Sequence, residues 1–253
     1  MAKRILILGG TTEARELASA LAARGDIAVT VSLAGRTAQV VAQGAPTRIG
    51  GFGGASGLVA HLRDERIDVL VDATHPYAAE ISANAARAAG ETNTPLLALR
   101  RPPWQRVTGD DWREVASETE AVAALGRAPR RVFVALGRKE LAPFAAAPQH
   151  FYLIRSVDPV EPPLAVPHAT YVLERGPFTE AADRALMGAH RIETVVCRNS
   201  GGEAAYAKIA AARGLRLPVV LIARPHLPDV AARVGSVEEA LAWLGHALAL
   251  RGE

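Results

Sequence analysis

The 253-residue chain reads as an α/β protein of two Rossmann-like, doubly wound parallel-sheet domains facing an interdomain cleft. Three observations predict this: short apolar runs, amphipathic helical stretches between them, and a pattern that repeats at about half the chain length. Runs that are apolar on both faces belong to strands covered on both sides, which is the habit of parallel sheets. In the first half they are ILIL (5–8), IAVTVS (27–32), IDVLVD (67–72) and PLLAL (95–99), alternating with helices such as 12–23 and 78–89. The second half offers VFVAL (132–136), FYLIRS (151–156), TYVLE (170–174), TVVC (194–197) and PVVLIA (218–223).

Several pieces align between the halves: RILILGG with RVFVALG, IDVLVDATH with IETVVCRNS, and PLLALRRP with PVVLIARP. Each half also closes alike, on VASETEAVAALG and VGSVEEALAWLG, where Ser117 with Glu120 and Ser236 with Glu239 form capping boxes. The boundary is placed near Arg127 in the GRAPRR stretch, giving an N-terminal Rossmann-like domain over 1–127 and a C-terminal one over 128–253. Crossing of a terminal helix onto the other domain stays open.

Composition narrows the ligand. Hydrophobic residues make up 49%, yet no apolar run approaches the roughly 20 residues of a membrane span. The strand pattern begins within a few residues of Met1, so a cytoplasmic location is expected. The single cysteine, Cys197, reads as a buried strand residue and suits a reducing compartment. The net charge is +3, and of 29 basic residues only Lys3, Lys139 and Lys208 are lysines. Arginine suits planar recognition of carboxylate and phosphate, although a GC-rich coding sequence accounts for the bias equally well. With aromatics at 5% and arginines scattered, no nucleic-acid partner is expected and a small polyanion is preferred. One cysteine and seven scattered histidines offer no metal-ligand spacing.

In doubly wound sheets, ligands sit outside the carboxyl ends of the strands. The segment Gly9-Gly10-Thr11-Thr12 follows a strand and opens a helix, where backbone N–H groups and the helix dipole receive a phosphate. It lacks the third glycine of G-x-G-x-x-G, so a plain tight turn is the other reading. The second strand ends Ser32-Leu33-Ala34-Gly35-Arg36-Thr37, with no carboxylate for a ribose 2′-hydroxyl. Arg36 stands where it could pair with a 2′-phosphate, which points to NADPH, or it is an ordinary solvated residue. IGGFGGASG (49–57) permits close backbone approach to a ligand, with Gly53 at its centre, or is turn chemistry alone. VDATHPYA (71–78) should bring Asp72, Thr74, His75 and Tyr77 to the nicotinamide end of the site, His75 and Tyr77 being its acid/base candidates; a structural His-Pro turn is the alternative.

Taken together, GGTTEAREL, SLAGRT, DATHPYA, LRRPPW and RNSGG followed by a strand and ARP resemble the NADPH-dependent precorrin-6A reductases, over nearly the whole chain. The resemblance implies transfer of hydride from NADPH to a double bond of a corrinoid precursor in cobalamin biosynthesis. Cobalt-free and cobalt-bearing macrocycles both fit. Such a polycarboxylate macrocycle calls for arginines, for which Arg101 or its neighbour Arg100, Arg138, Arg155, Arg175 and the Arg198-Asn199-Ser200-Gly201-Gly202 loop are candidates. The last of these is expected to open a helix whose N–H groups welcome an anion. Lys208 within that helix could deliver a proton or a charge, a solvated lysine being the other reading. Trp104, Tyr152 and Phe178 could stack on the macrocycle, with core anchoring the default for each. Two further readings stay open: a two-domain glycosyltransferase using a nucleotide sugar, and a non-enzymatic NADP-sensing module.

Overall fold

A computed structural model describes residues 2–35 and 41–249. The chain forms two compact units, Met1–Pro102 with Pro225–Glu253, and Pro103–Arg224. The single boundary expected near Arg127 is therefore corrected: the chain passes from the first unit to the second after Pro102 and returns after Arg224.

The strands of the first unit are β1 (Lys3–Leu8), β2 (Ile27–Leu33), β3 (Thr47–Ile49), β4 (Val69–Asp72) and β5 (Leu96–Leu99). Those of the second begin with β6 (Trp112–Val115), followed by β7 (Arg131–Ala135), β8 (Phe151–Ser156), β9 (Ala169–Leu173), β10 (Thr194–Arg198) and β11 (Val219–Ile222). The last strand, β12 (Ala232–Val234), returns to the first unit. The helices are α1 (Thr12–Ala22), α2 (Gly54–Asp64), α3 (Ala79–Thr92), α4 (Glu118–Leu125), α5 (Glu180–Ala189), α6 (Ala207–Leu215) and α7 (Val237–Ala249). One six-stranded sheet runs β12-β5-β4-β1-β2-β3, the other β6-β11-β10-β7-β8-β9, and every pairing is parallel. Adding six to each label of the first sheet reproduces the second, except that β6 and β12 have changed places. The repeat thus builds two like sheets that exchange their last strand and helix.

The physics of each unit follows from strand alternation. In β1, Ile5 and Ile7 pack with Ala14, Leu17, Ala18 and Leu21 of α1 and with Ala240 and Leu244 of α7. Leu6 and Leu8 face the opposite way, onto Leu58 and Leu62 of α2 and Ala85 and Ala88 of α3. The α1 residues recur at i, i+3, i+4 and i+7, the stripe a helix needs to cover one sheet face. In the second unit Phe133, Leu153, Val195 and Leu221 pack with Met187 and with Ile209 and Ala212 of α6. Both capping residues act as expected: Ser117 Oγ accepts from Glu120 N at 3.2 Å and Ser236 Oγ from Glu239 N at 3.2 Å. Cys197 is fully buried, and burial pushes its thiol up to about 11, which leaves it inert.

His150, fully buried, accepts from Arg130 N through Nδ1 at 3.2 Å. Burial holds its pKa below the ordinary 6.5, and a backbone hydrogen bond to Gly126 opposes this only in part. Burial also lowers that of His61. The unfolded chain therefore binds more protons than the folded one below pH 6.5, so stability is full above that value and falls as the pH drops past it toward the lowered folded values. Thermal melts between about pH 8 and pH 5 are expected to show this acid-side decline, and His150→Gln to flatten it. An unchanged slope in the variant would contradict the assignment.

Candidate active site

At the carboxyl edge of the first sheet, four loops are bonded into one surface. Gly9 N donates to Ser32 O at 2.9 Å, Gly50 N to Leu33 O at 2.9 Å, and Ala73 N to Leu8 O at 3.0 Å. Thr11 caps α1, accepting from Ala14 N at 3.1 Å, and its hydroxyl donates to Ala73 O at 2.9 Å. Thr11 thus holds two loops together with its side chain, while Thr12 Oγ1 accepts from Arg15 at 3.2 Å. A Cβ on Gly9 would stand 2.8 Å from Val31 Cγ1, so this position must be bare for the turn to lie on β2. Gly10 at φ +118 and Gly53 at φ +81 have nothing within 4 Å of where a side chain would be. Their backbone faces open space in a conformation that glycine alone adopts without strain, which leaves room for close approach of a ligand. Residues Gly9, Gly10, Thr11, Thr12, Ser32, Leu33, Ala34, Gly35, Gly53 and His75 are all carried by this edge. Arg36 and Thr37 lie outside the described residues.

Asp72 and Thr74 are corrected in role. Asp72 is 2% exposed, and its Oδ1 accepts from Thr74 N at 3.2 Å and from Thr74 Oγ1 at 2.6 Å. Its Oδ2 accepts from Ser82 Oγ at 2.6 Å and lies 3.6 Å from Arg100 Nη2. A carboxylate so occupied cannot face a ligand; it fixes the turn that presents His75 and Tyr77. Those two rings are 5.6 Å apart and half-buried. Tyr77 N donates to His75 Nδ1 at 3.4 Å, which leaves the ring proton on Nε2.

In the second unit, several arginines expected to meet substrate instead have carboxylate partners. Arg155 is 5% exposed, bonded to Asp183 at 2.5 Å and 3.4 Å, and lies 3.7 Å from the Phe178 ring centroid. It is a core residue. Arg198 meets Glu118 at 3.1 Å and Glu140 at 3.3 Å. In the first unit Arg101 meets Glu13 at 2.8 Å. Asn199 accepts from Trp104 N at 2.7 Å and donates to Trp104 O at 3.1 Å, while Trp104 Nε1 donates to Gly202 O at 2.8 Å. Ser200 O accepts from Arg224 at 3.0 Å. The loop over Asn199, Ser200, Gly201 and Gly202 is therefore clamped by Trp104 and Arg224, and α6 begins only at Ala207, so the loop does not open a helix as expected. Positive φ at Gly201 (+67) and Gly202 (+70) turns the chain before the helix can start.

Lys208 is 5% exposed rather than solvated: Nζ donates to Ala205 O at 2.5 Å and stands 5.0 Å from the Trp104 ring centroid. Tyr152 is fully buried and its hydroxyl donates to Ala147 O at 2.9 Å; burial pushes its pKa up to about 12. Arg138 and Arg175 are exposed, Arg175 lining a cavity of about 390 Å³ with Glu174, Phe178 and Thr179. Arg48 and Arg224 are the organising residues that sequence reasoning did not assign, while Trp104 takes the anchoring role that was its default.

Two doubly wound parallel sheets, one carrying glycine-lined, open turns at its carboxyl edge, define a Rossmann-like enzyme class. Comparison with known proteins narrows the class. Residues 4–245 match the family model described as Precorrin-6x reductase CbiJ/CobK. The chain is 55% identical to a precorrin-6A reductase of a Sinorhizobium species over 97% of this chain and 94% of that one. It is 50% identical to the precorrin-6A reductase of Rhodobacter capsulatus, over 98% and 99%. A solved structure titled CobK precorrin-6A reductase superposes with a TM-score of 0.92 at 49% identity, covering 97% of both chains. The chain belongs to the precorrin-6x reductase family and is an oxidoreductase with a Rossmann-like fold. A reductase of this family implies a nicotinamide cofactor, and the bare backbone at Gly10 and Gly53 fits its phosphates. The glycosyltransferase and sensing-module readings give way to this membership. Among the described residues, no helix is long and apolar enough to cross a membrane.

Proposed function

We propose that the chain reduces precorrin-6A to precorrin-6B with NADPH, as a cytoplasmic step of cobalamin biosynthesis. The observation that carries this reading is the first unit's carboxyl edge, where the β1–α1 turn, the end of β2, the 50–54 loop and the 73–77 turn form one hydrogen-bonded surface. The backbone of Gly10 and Gly53 holds the phosphates, with Gly9 keeping the turn close on β2, aided by the Thr12 hydroxyl and the first turn of α1. Ala34 and Gly35 border the adenosine half, with Arg36 and Thr37 following them in sequence. When bound, the cofactor supplies a hydride to one carbon of the macrocycle, saturating a double bond; a proton completes the balance. His75, with its proton on Nε2, and Tyr77 border the nicotinamide end and orient the cofactor. Exposed Arg138 and Arg175 bind the macrocycle's carboxylates, each charge-assisted bond contributing about 1.5–3 kcal/mol. Arg155, Arg198, Asn199 and Lys208 support that surface from within. Orientation is the main catalytic device, since fixing both reactants replaces a two-body encounter.

Purified protein incubated with precorrin-6A and NADPH, followed by the macrocycle's visible spectrum, is expected to show reduction. kcat/KM with NADPH should exceed that with NADH by at least about tenfold, the effect of one such bond. Absence of spectral change with either cofactor would overturn the reading.

A further inference from the structure

We propose that Arg48 is the cofactor-specificity residue of this chain, binding the 2′-phosphate that distinguishes NADPH from NADH. The inference rests on the NADPH reading above and adds a residue outside the fingerprint turn and the SLAGRT segment.

β3 pairs with β2 so that Arg48 lies opposite Ser32, at the strand end where a Rossmann domain receives the adenosine ribose. The guanidinium is held by neutral acceptors alone: Nη1 donates to Ser32 Oγ at 3.1 Å and to Gly50 O at 2.8 Å, and Nη2 to Gly51 O at 3.2 Å. Its plane sits 3.9 Å from the Phe52 ring centroid, which fixes the side chain without neutralising it. Nε and one hydrogen of Nη2 have no further partner among the described residues. No carboxylate stands within 4.0 Å of it among those residues, whereas the half-buried Arg100 and Arg101 of the same unit face Asp72 and Glu13. An ordered, partly buried cation without a counter-ion, on a pre-set fork geometry, is a ready partner for a phosphate. The charge of Arg48 is felt nearby: His61, its ring 5.0 Å from that of Phe52, has its pKa lowered by burial and next by Arg48, with Glu65 and Asp64 opposing. A ribose 2′-hydroxyl gains little there, and a dianion gains most.

Calorimetric titration with 2′,5′-ADP and 5′-AMP tests this without turnover. The parent protein should bind 2′,5′-ADP more tightly. In Arg48→Met, affinity for 2′,5′-ADP and NADPH is expected to fall about 10- to 100-fold, the range of one charge-assisted bond, with 5′-AMP and NADH changed by less than about twofold. Should that variant fold poorly, Arg48→Lys decides in its place. It keeps the charge but not the fork, and should lose about 3- to 10-fold in 2′,5′-ADP affinity alone. Retention of parental 2′,5′-ADP affinity, or parallel loss of NADPH and NADH, would overturn the proposal and leave Arg48 a mere organiser of the 50–54 loop. A parent protein without preference for 2′,5′-ADP would overturn the NADPH reading as well, which separates the two failures.

Discussion

Arg155→Met is expected to lower the stability of the protein by about 3–5 kcal/mol, because it strands a carboxylate in the core. Asp183 is 2% exposed and Arg155 5%, and the pair meets at 2.5 Å between β8 and α5. Glu174, at 3.9 Å, is half-exposed and too distant to replace either partner. Taking two charges out of water is costly, and their mutual attraction offsets that cost only while both are present. Asp183→Leu should therefore be as damaging as Arg155→Met, whereas the double variant Arg155→Met/Asp183→Leu should recover most of the loss, since two apolar groups fill the site without a desolvated charge. Urea unfolding of the four proteins gives the cycle directly. Losses in the single variants that add in the double one would show that the pair is not coupled. Calorimetric affinity for 2′,5′-ADP should stay at the parental level in whichever variants remain folded, since Arg155 belongs to the second unit and the proposed cofactor surface to the first.

Why Arg155 reads as a substrate residue in sequence, and as a core residue in space, is a matter of distance along the chain. Its partner Asp183 lies 28 positions away, the Glu118 that meets Arg198 lies 80 away, and the Trp104 that clamps Asn199 lies 95 away. A strand end followed by arginine looks the same whether the guanidinium faces solvent or a distant carboxylate. Local chemistry was more legible. The Gly9-Gly10-Thr11 turn, the Ser117 and Ser236 caps, and the burial of Cys197 all rest on neighbours within a few residues or on an uninterrupted apolar run.

The strand exchange was hidden for a related reason. WREV of β6 and ARV of β12 are short sheet-edge strands, each with an exposed residue at its centre, so neither makes an apolar run. The paired half-repeats suggested contiguous domains, and the glycine and proline of GRAPRR suggested a linker between them. The true crossings are the prolines after β5 and β11, Pro102-Pro103 and Pro225, which stand at matching positions of the repeat. β5 ends at Leu99 and β11 at Ile222, and the prolines that follow cannot donate to a continuing ladder, so neither strand resumes and the chain passes to the other sheet. Arg48 escaped notice because β3 is only three residues long, exposed on both sides of the arginine, and shows no periodicity.

Asp72→Ala should cost about 3–5 kcal/mol as well, but unlike the Arg155 variants it should also damage the site. The carboxylate is shared by Thr74, Ser82 and Arg100, and Arg100, with side-chain exposure of 11%, has buried Nε and Nη2 atoms that make no other hydrogen bond. Arg100 Nη1 in turn donates to Pro228 O at 3.3 Å, so the same carboxylate anchors both chain segments that border the crossings. Removing it leaves a guanidinium without a counter-ion and two hydroxyls without an acceptor, and frees the turn carrying His75 and Tyr77. Asp72→Asn keeps an acceptor for Ser82 or Thr74 but loses the charge, and should cost about 1–3 kcal/mol. At a temperature where both variants stay folded, KM for the nicotinamide cofactor is expected to rise about tenfold in Asp72→Ala and less in Asp72→Asn, the worth of roughly one misplaced hydrogen bond. Affinity for 2′,5′-ADP, which in the proposed site touches only the far end of the surface, should change little. Equal losses for the fragment and the whole cofactor would mean that Asp72 supports the entire edge rather than the turn at its nicotinamide end, and unchanged melting would remove the network from the account of stability altogether.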